Sequence, residues 1–328
     1  VSLEAGGGIV LLLAAAAALV WVNTDTAGYT SWWHHQLTIG PGDLAITESL
    51  VHWINDALMT VFFFVVGLEI KRELVTGELR DRHRAALAAF AALGGMLVPA
   101  LVFVAINAGG GSLDGWAIPM ATDIAFAVGV LALLGPRVPS SLKLFLLALA
   151  IVDDIGAIVV IALFYSRGLD GWWLLGALAT VLLVVVMARL RVDHPLAYVV
   201  PGIVLWWCLH EAGVEPTLAG VVLGLLTPAS PRRGVPVLER LENSLHPISS
   251  FVVVPLFALA NAGVVLSADA VDHALSSRVT LGIVAGLVVG KTVGILGASF
   301  VAVRAGIGAL PDGLSLRHVA GVAVLGGI

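Results

Sequence analysis

Charged residues are scarce in this chain of 328 residues, of which they make up only 12%. Soluble domains carry about 25% charged residues, so the shortage argues against a soluble globular protein. The single cysteine, Cys208, excludes an internal disulfide framework, and its apolar neighbours indicate ordinary packing. The alternating pattern of a membrane β-barrel is also missing, which leaves helices as the structure that can cross a bilayer.

Hydrophobic residues, by contrast, make up 59% of the chain, and its mean hydropathy is +1.03. They recur in blocks of about 18–25 residues, which are long enough to cross a hydrocarbon core of about 30 Å as helices. The blocks predict ten complete spans and part of an eleventh, centred near Ala14, Met59, Gly95, Phe126, Asp153, Val181, Leu205, Val222, Phe257, Lys291 and Val322. We therefore predict an all-α polytopic membrane protein.

Lysine and arginine are concentrated in every second loop between the predicted spans. The basic loops contain Arg80, Arg82 and Arg84, then Arg137 and Lys143, Arg189 and Arg191, Arg232, Arg233 and Arg240, and finally Arg304 and Arg317. The intervening loops contain Arg167 and Arg278. Because cytoplasmic loops carry an excess of lysine and arginine, this asymmetry places the N-terminus in the cytoplasm.

The segment SWWHHQLTIGPGDLAI follows the first span and has β-type residues on both sides of a Gly-Pro-Gly turn. This pattern predicts a small external hairpin near residues 31–47. Trp32 and Trp33 fit the aromatic belt at a membrane interface. His34 and His35 are adjacent and have no further ligands nearby in sequence, so they give only a weak metal signal.

Four ionisable side chains fall inside predicted spans, namely Asp123, Asp153, Asp154 and Lys291. Each charge costs about 2.5–3.5 kcal/mol at the bilayer centre on insertion scales, so intramembrane charges are functional by default. A structural ion pair with Lys291 would account for only two of them. Adjacent residues of a helix point about 100° apart, so Asp153 and Asp154 cannot both face one partner. One can pair with a base while the other lines a water-filled site.

The segment around Asp123 carries Pro119 and the hydroxyl of Thr122 just before the acid. Proline interrupts helical hydrogen bonding and frees carbonyls, which hard cations accept as ligands together with carboxylates and hydroxyls. A broken helix at membrane depth is tolerated where it lines a cavity or is buried in protein. Since burial raises the pKa of an aspartate and lowers that of a lysine, such a site can exchange protons near neutral pH. Competition between H⁺ and Na⁺ or Li⁺ at an alternately exposed site produces antiport.

Four long motifs of this chain resemble the NhaA family of bacterial Na⁺/H⁺ antiporters: NDALMTVFFFVVGLEIKREL, ATDIAFAVGVLALLG, LALAIVDDIGAIVVIALFY and LHPISSFVVVPLFALANAGV. The resemblance runs from about the first span to the last residue. It implies a fold with two inverted three-helix repeats and crossed, discontinuous helices. Of its twelve helices we expect about eleven here, with the end of the eleventh and the twelfth missing.

The resemblance also implies that the chain forms one transporter domain with two functional parts. Residues 1–80 and 171–267 would form the dimer interface, and residues 84–165 and 279–328 the ion-transport bundle. Asp154 would be the direct ligand of Na⁺ or Li⁺, with Asp153 as the second acid of the metal site. Lys291 would be the partner of Asp153, while Asp123 and Thr122 would compensate the half-helix dipoles of the broken fourth helix.

Control by pH at a cytoplasmic funnel is a further implication of the resemblance. The residues implied as pH sensors are Glu69, Arg72, Glu73, Glu242, His246 and Glu215. An alternative to a pH-sensing role is that these residues form an ordinary charged interface of i,i+3 and i,i+4 pairs. Glu215 and Asn243 depart from the expected family pattern, where histidine occurs. Histidine titrates near neutrality and an ordinary glutamate does not, so no specific activation pH is carried over.

The resemblance therefore implies an electrogenic antiporter, which imports protons to extrude Na⁺ or Li⁺. It would be a homodimeric secondary transporter of the bacterial inner membrane, with lipid around it, no enzyme activity, no cofactor beyond the transported ions and no nucleic-acid partner. A Na⁺-coupled symporter of a small organic solute is the nearest alternative, but it would need a larger polar pocket. An intramembrane aspartyl protease would need a Gly-x-Gly-Asp motif and two carboxylates that share a proton, and neither aspartate motif fits. A cation channel would need a filter-like repeat.

Overall fold

The computed structural model describes residues 3–40, 42, 45–77, 81–110, 112–122, 127, 130, 138–166, 168–190, 192, 194–229, 237–310 and 313–327. Their regular structure is helical apart from one short hairpin. The chain divides into two compact units, one of residues 1–72 with 162–266 and the other of residues 73–161 with 267–328. The protein is therefore an all-α polytopic membrane protein in which each unit is assembled from two stretches of sequence.

The first unit contains four of the seven described helices that are long and apolar enough to cross a membrane. Its elements are α1 (Leu3–Thr24), α2 (Thr26–Trp33), β1 (Gln36–Ile39), β2 (Ile46–Ser49), α3 (Leu50–Val75), α6 (Gly171–Arg189), a 3₁₀ turn (Pro195–Tyr198), α7 (Val199–Glu211), α8 (Leu218–Leu226) and α9 (Val237–Asn261). The last residues of α3 belong to the second unit.

The second unit contains the helices that carry the predicted intramembrane charges. Its elements are α4 (Arg82–Asn107), a 3₁₀ turn (Ile118–Met120), α5 (Ser140–Phe164), α10 (Ala268–Ser276), α11 (Arg278–Arg304) and α12 (Leu316–Gly326). The end of α5 belongs to the first unit. The core of the second unit packs α4, α5, α11 and α12 together through Leu87, Leu146, Ile295 and Val322, all of which are almost fully buried.

Seven described helices are long and apolar enough to cross a membrane, and two shorter apolar helices cover Leu196–Glu211 and Leu316–Gly326. The span predicted near Val222 is a helix of nine residues, α8, which rises only about 14 Å at 1.5 Å per residue. Pro216 and Pro228 lie just outside its two ends and limit its length. The span predicted near Phe126 lies outside the described residues.

The predicted external hairpin is present, with β1 and β2 antiparallel and Gln36 paired with Ser49. The turn uses Gly42 at a φ of 53°, a conformation that glycine adopts without strain. Residues 31–33, however, belong to α2 and not to a strand. Trp33 is only 6% exposed and packs against Tyr29, so the prediction that it is a membrane-belt residue was wrong. Neighbouring Trp32 is 56% exposed.

Glycines allow α4 and α11 to approach each other closely in the second unit. A Cβ atom added to Gly94 would collide with the carbonyl of Gly294, and one added to Gly290 would lie 2.8 Å from Pro99 Cα. A Cβ on Gly95 would reach within 3.9 Å of the Lys291 side chain. The contact between these helices therefore depends on missing side chains, and it holds Lys291 inside the unit.

Candidate functional site

A buried ion pair joins α11 to α5 in the second unit. Lys291 Nζ lies 3.0 Å from Asp153 Oδ2, and the two residues are 0% and 3% exposed. Lys291 is the last residue of a π-helical stretch, Gly286–Lys291, where the widened turn changes the direction in which the side chain projects. Loss of either residue should destabilise the protein, because the charge of the other would then be buried without a counter-charge.

The chain before Asp123 supplies two more groups to this pair. Thr122 Oγ1 donates a hydrogen bond of 2.6 Å to Asp153 Oδ2, and Lys291 Nζ donates to the Met120 carbonyl. The 3₁₀ turn that contains Met120 ends at Ala121, whose backbone is extended. The sequence predicts that the interruption at Pro119 frees carbonyls as cation ligands. In the structure the Met120 carbonyl accepts a hydrogen bond from Lys291.

One carboxylate oxygen of Asp153, Oδ2, accepts the hydrogen bonds from both Thr122 and Lys291. Its second oxygen, Oδ1, is buried and has no hydrogen-bond partner among the residues that the structure describes. The Thr122 hydroxyl also lies 3.4 Å from the Gly326 carbonyl of α12. A carboxylate oxygen, a hydroxyl and backbone carbonyls are the ligand types of hard cations, so this group has the chemistry that Na⁺ requires.

Asp154 follows Asp153 on α5 and is half-buried. It interacts electrostatically with Lys291. A rotation of about 100° between neighbouring helical positions gives it a different face of α5 from Asp153. Asp123, which the sequence assigns to the same site, lies outside the described residues. The structure therefore brings together Asp153, Lys291 and Thr122, with Asp154 adjacent.

The predicted pH-sensing residues form a second group, where α3 meets α9 in the first unit. Arg72 donates to Glu242 at 2.6 Å, and Glu242 is only 6% exposed. His246 Nε2 lies 4.0 Å from Glu69 Oε1, and both residues are half-buried. Glu242 and His246 are four residues apart on α9, and their partners Arg72 and Glu69 are three residues apart on α3. Both spacings keep the two residues on one helix face, so the two pairs lie on facing helix surfaces.

Glu73 and Glu215 take no part in these two pairs. The Glu73 carbonyl accepts a hydrogen bond from the Gly77 amide where α3 ends. Glu215 lies between α7 and α8, accepts a hydrogen bond of 3.2 Å from Thr217 and interacts with Asp56. Asp56 precedes Glu69 by thirteen residues, about 20 Å along α3. Glu215 is therefore at the other end of α3 from the Glu69–His246 pair.

Asp56 and His210 are the residues near Glu215 that sequence reasoning missed. His210 Nδ1 lies 3.9 Å from Asp56 Oδ2, and the ring of His210 stacks on Trp206. Burial raises the pKa of the Glu215 carboxyl, and the charge of Asp56 raises it further, while the hydrogen bond from Thr217 opposes the shift. The available signal for Asp56 was a charged residue three positions from Met59, the predicted centre of the second span.

A family model described as Na⁺/H⁺ antiporter 1 matches residues 1–328 of this chain. The Na⁺/H⁺ antiporter NhaA of Proteus mirabilis (strain HI4320) is 48% identical over 331 residues, which cover 100% of this chain and 84% of that protein. NhaA of Shewanella loihica (strain ATCC BAA-1088 / PV-4) is 46% identical over 330 residues, with the same coverage of 100% and 84%. The Na⁺/H⁺ antiporter NhaA 3 of Frankia alni is 45% identical over 361 residues, covering 100% and 78%. Because the match extends over the whole chain, this protein belongs to the Na⁺/H⁺ antiporter 1 family.

Proposed function

We propose that this protein is a secondary transporter that exchanges cytoplasmic Na⁺ or Li⁺ for external H⁺ across the bacterial inner membrane. The observation that carries the proposal is the buried pair of Asp153 and Lys291 with the Thr122 hydroxyl. A buried carboxylate that is neutralised by a lysine can be neutralised equally by a metal cation or a proton. Names of the family model and of the relatives support Na⁺ and H⁺ as the two ions.

Exchange follows from competition for the same carboxylates. Protons from the acidic side reside on Asp154 and on either Asp153 or Lys291. Deprotonation on the cytoplasmic side leaves carboxylates that bind Na⁺, and the cation at Asp153 takes the place of the Lys291 ammonium. The loaded second unit then presents the cation to the outside. More protons enter than cations leave, so each cycle moves net charge.

Regulation by pH is proposed for the Glu69–His246 and Arg72–Glu242 pairs. His246 Nε2 lies 4.0 Å from Glu69 Oε1, so the strength of this contact depends on whether the histidine carries a charge. Arg72→Gln removes the partner of a carboxylate that is almost fully buried. We expect this variant to shift the pH profile of exchange while the maximal rate is retained. An exposed arginine at the end of α11, changed in Arg304→Gln, is the control and should leave the profile unmoved.

Assembly as a homodimer through the β1–β2 hairpin is also part of the proposal, as is a cytoplasmic N-terminus. Both come from the sequence. The hairpin lies within residues 1–80, which the family resemblance assigns to the dimer interface, and the orientation comes from the basic loops. Crosslinking of cysteines placed at Thr38 in two subunits, with spheroplast labelling of the same cysteine, would test the dimer contact and the side of the membrane together.

The exchange itself is tested in everted vesicles from cells that express the full-length protein. A pH gradient is established, and Na⁺ or Li⁺ is added without any other solute. We expect the gradient to collapse with the unmodified protein and to persist with Asp154→Asn. The control is Asp170→Asn, because asparagine preserves the N-cap that Asp170 provides to α6. Collapse only when an organic solute is present, or normal exchange by Asp154→Asn, would contradict the proposal.

A further inference from the structure

The helix α10 (Ala268–Ser276) is exposed along its whole length in the second unit. Its apolar and polar side chains lie on two different faces. Val271 and Leu275 are four residues apart on one face and are 44% and 79% exposed. Asp269 and Asp272 lie on the other face. An amphipathic helix normally buries its apolar face, and no other described part of the chain covers this one.

A helix of nine residues needs support to be stable. Isolated helices shorter than about 12–15 residues are marginal in water, so most of them depend on contacts made by an apolar face. Within α10 the first turn is capped by Ser267, whose hydroxyl accepts a hydrogen bond of 3.0 Å from the Ala270 amide. One cap does not replace packing. The apolar face of α10 therefore requires a partner outside the described chain.

The position of α10 in the sequence places it at the membrane boundary. It lies between the membrane-spanning helices α9 and α11, so residues 262–277 are on one face of the membrane. Ser277 alone separates α10 from α11, and its extended backbone, with ψ 125°, ends one helix and changes the direction of the next. The last turn of α10 therefore lies where α11 enters the bilayer.

The residues before α10 are also held at a membrane boundary, within the first unit. The Asn23 side chain, in the last turn of α1, donates to the Val264 carbonyl at 2.9 Å and accepts from the Leu266 amide at 2.7 Å. Since α1 crosses the membrane, Leu266 lies at the depth where that helix leaves it. Both ends of α10, which is about 14 Å long, are thus at a boundary, so the helix lies along the membrane surface.

The apolar face of α10 is continuous with a lipid-facing surface of α11. Leu281, Val284 and Val288 are each more than half exposed on α11. Their spacing of three and four residues places them on one face, which contacts lipid because α11 crosses the membrane. Leu275 lies at the end of α10 that adjoins α11. Lipid that covers α11 is therefore next to the uncovered face of α10.

A protein partner is a poorer fit to α10 than a bilayer surface. Specific protein interfaces involve about 20–30 residues on each side. The apolar face of α10 has Val271, Leu275 and three alanines. Helices with separated faces and low overall hydrophobicity are typical of the headgroup region, with the apolar face among acyl chains. Because Asp269 and Asp272 make the polar face acidic, apolar burial and not attraction to anionic lipid would hold this helix.

We propose that α10 is an interfacial helix whose apolar face binds the surface of the surrounding bilayer. Val271 and Leu275 lie among the acyl chains, while Asp269 and Asp272 face water. The helix thereby sets the depth at which α11, which carries Lys291, enters the membrane.

The first test measures the depth of labelled side chains of α10 in a bilayer. Spin labels are attached to Leu275→Cys or Asp272→Cys in the full-length Cys208→Ala protein, reconstituted into liposomes of phosphatidylethanolamine and phosphatidylglycerol. Collisions with oxygen, which concentrates in the bilayer, and with a water-soluble nickel complex report the depth of each label. We expect the label at position 275 to lie about 5–10 Å below the lipid phosphates and the label at position 272 to lie in water.

Two outcomes of this test would overturn the proposal. Equal collision rates of the two labels with the nickel complex would place the apolar face in water. Low collision rates of the Leu275→Cys label with both reagents would show that protein, such as a second copy of this chain, covers the face.

A second test uses no label and compares two double variants in nanodiscs. Val271→Ser/Leu275→Gln removes the apolar surface, and Asp269→Ser/Asp272→Ser is the control on the opposite face. Each replacement has a helix propensity similar to that of the original residue. Amide hydrogen exchange within α10 should become about tenfold faster in the first variant and change little in the control. Equal exchange rates in the two variants would refute apolar attachment to the bilayer.

Discussion

Removing Lys291 alone should destabilise the protein far more than removing Lys291 and Asp153 together. In Lys291→Met the Asp153 carboxylate, only 3% exposed, keeps its hydrogen bond from Thr122 but loses its counter-charge. Breaking a buried ion pair by removing one partner costs about 3–5 kcal/mol. The surviving hydrogen bond to a charged group, worth about 1.5–3 kcal/mol, places the expected loss near the lower end of that range.

The reverse substitution, Asp153→Leu, leaves the Lys291 ammonium with the Met120 carbonyl and leaves the Thr122 hydroxyl without its acceptor. A loss of about 3–5 kcal/mol is again expected. The double variant replaces the pair with apolar side chains of similar volume, and such replacements are often neutral or stabilising. The coupling energy from the double-mutant cycle should therefore exceed about 3 kcal/mol.

The unfolding free energies of the unmodified protein, the two single variants and the double variant are measured by equilibrium unfolding in mixed micelles, with helical circular dichroism as the signal. Arg304→Met is the control, because Arg304 is an exposed residue on the same helix and should change the unfolding free energy by no more than about 0.5 kcal/mol. If each single substitution costs less than about 1 kcal/mol, or if the two costs simply add in the double variant, the burial argument for this pair is refuted.

Two further predictions concern packing and titration. Gly294→Ala should destabilise the fold because its Cβ would collide with the Gly94 carbonyl, whereas Gly297→Ala meets nothing within 4 Å and should be neutral or stabilising in thermal melts; equal melting temperatures would contradict the close helix contact. The raised pKa of Glu215 means that the folded state holds this proton at a pH where the unfolded chain has lost it. Stability should fall as pH rises from the ordinary glutamate pKa through the raised value, and Glu215→Gln should remove that fall. An identical pH dependence in both proteins would show that Glu215 titrates normally.

Much of the architecture was predictable from the sequence because it rests on local patterns. The length of apolar blocks located the helices around Ala14, Asp153 and Lys291, since a bilayer imposes a minimum length on each span. The two β-type runs around a glycine turn identified the hairpin. Local patterns were weaker where the chain is bent by proline: the span expected near Val222 is a helix of nine residues.

The orientation of individual side chains was less predictable. The sequence position of Trp33 suits a membrane belt, yet its side chain is buried against Tyr29. Successive residues of α2 point about 100° apart, so Trp33 and the exposed Trp32 lie on different faces of the helix. Glu215 was grouped with the sensors around Glu69, and the structure places it near Asp56 instead. In both cases the residue type was informative, whereas its neighbours depend on how helices distant in sequence pack together.

The sequence by itself determined that this is a helical membrane protein, and it predicts that Asp153, Asp154 and Lys291 carry its chemistry, because charges in hydrocarbon are too costly to retain without a function. Only the tertiary structure decided that Asp153 Oδ2 accepts hydrogen bonds from both Lys291 and Thr122, and that the Met120 carbonyl accepts another from Lys291. These contacts join residues 138, 31 and 171 positions apart, respectively. Pattern along a chain fixes which groups are buried, whereas packing between distant segments fixes which of them meet.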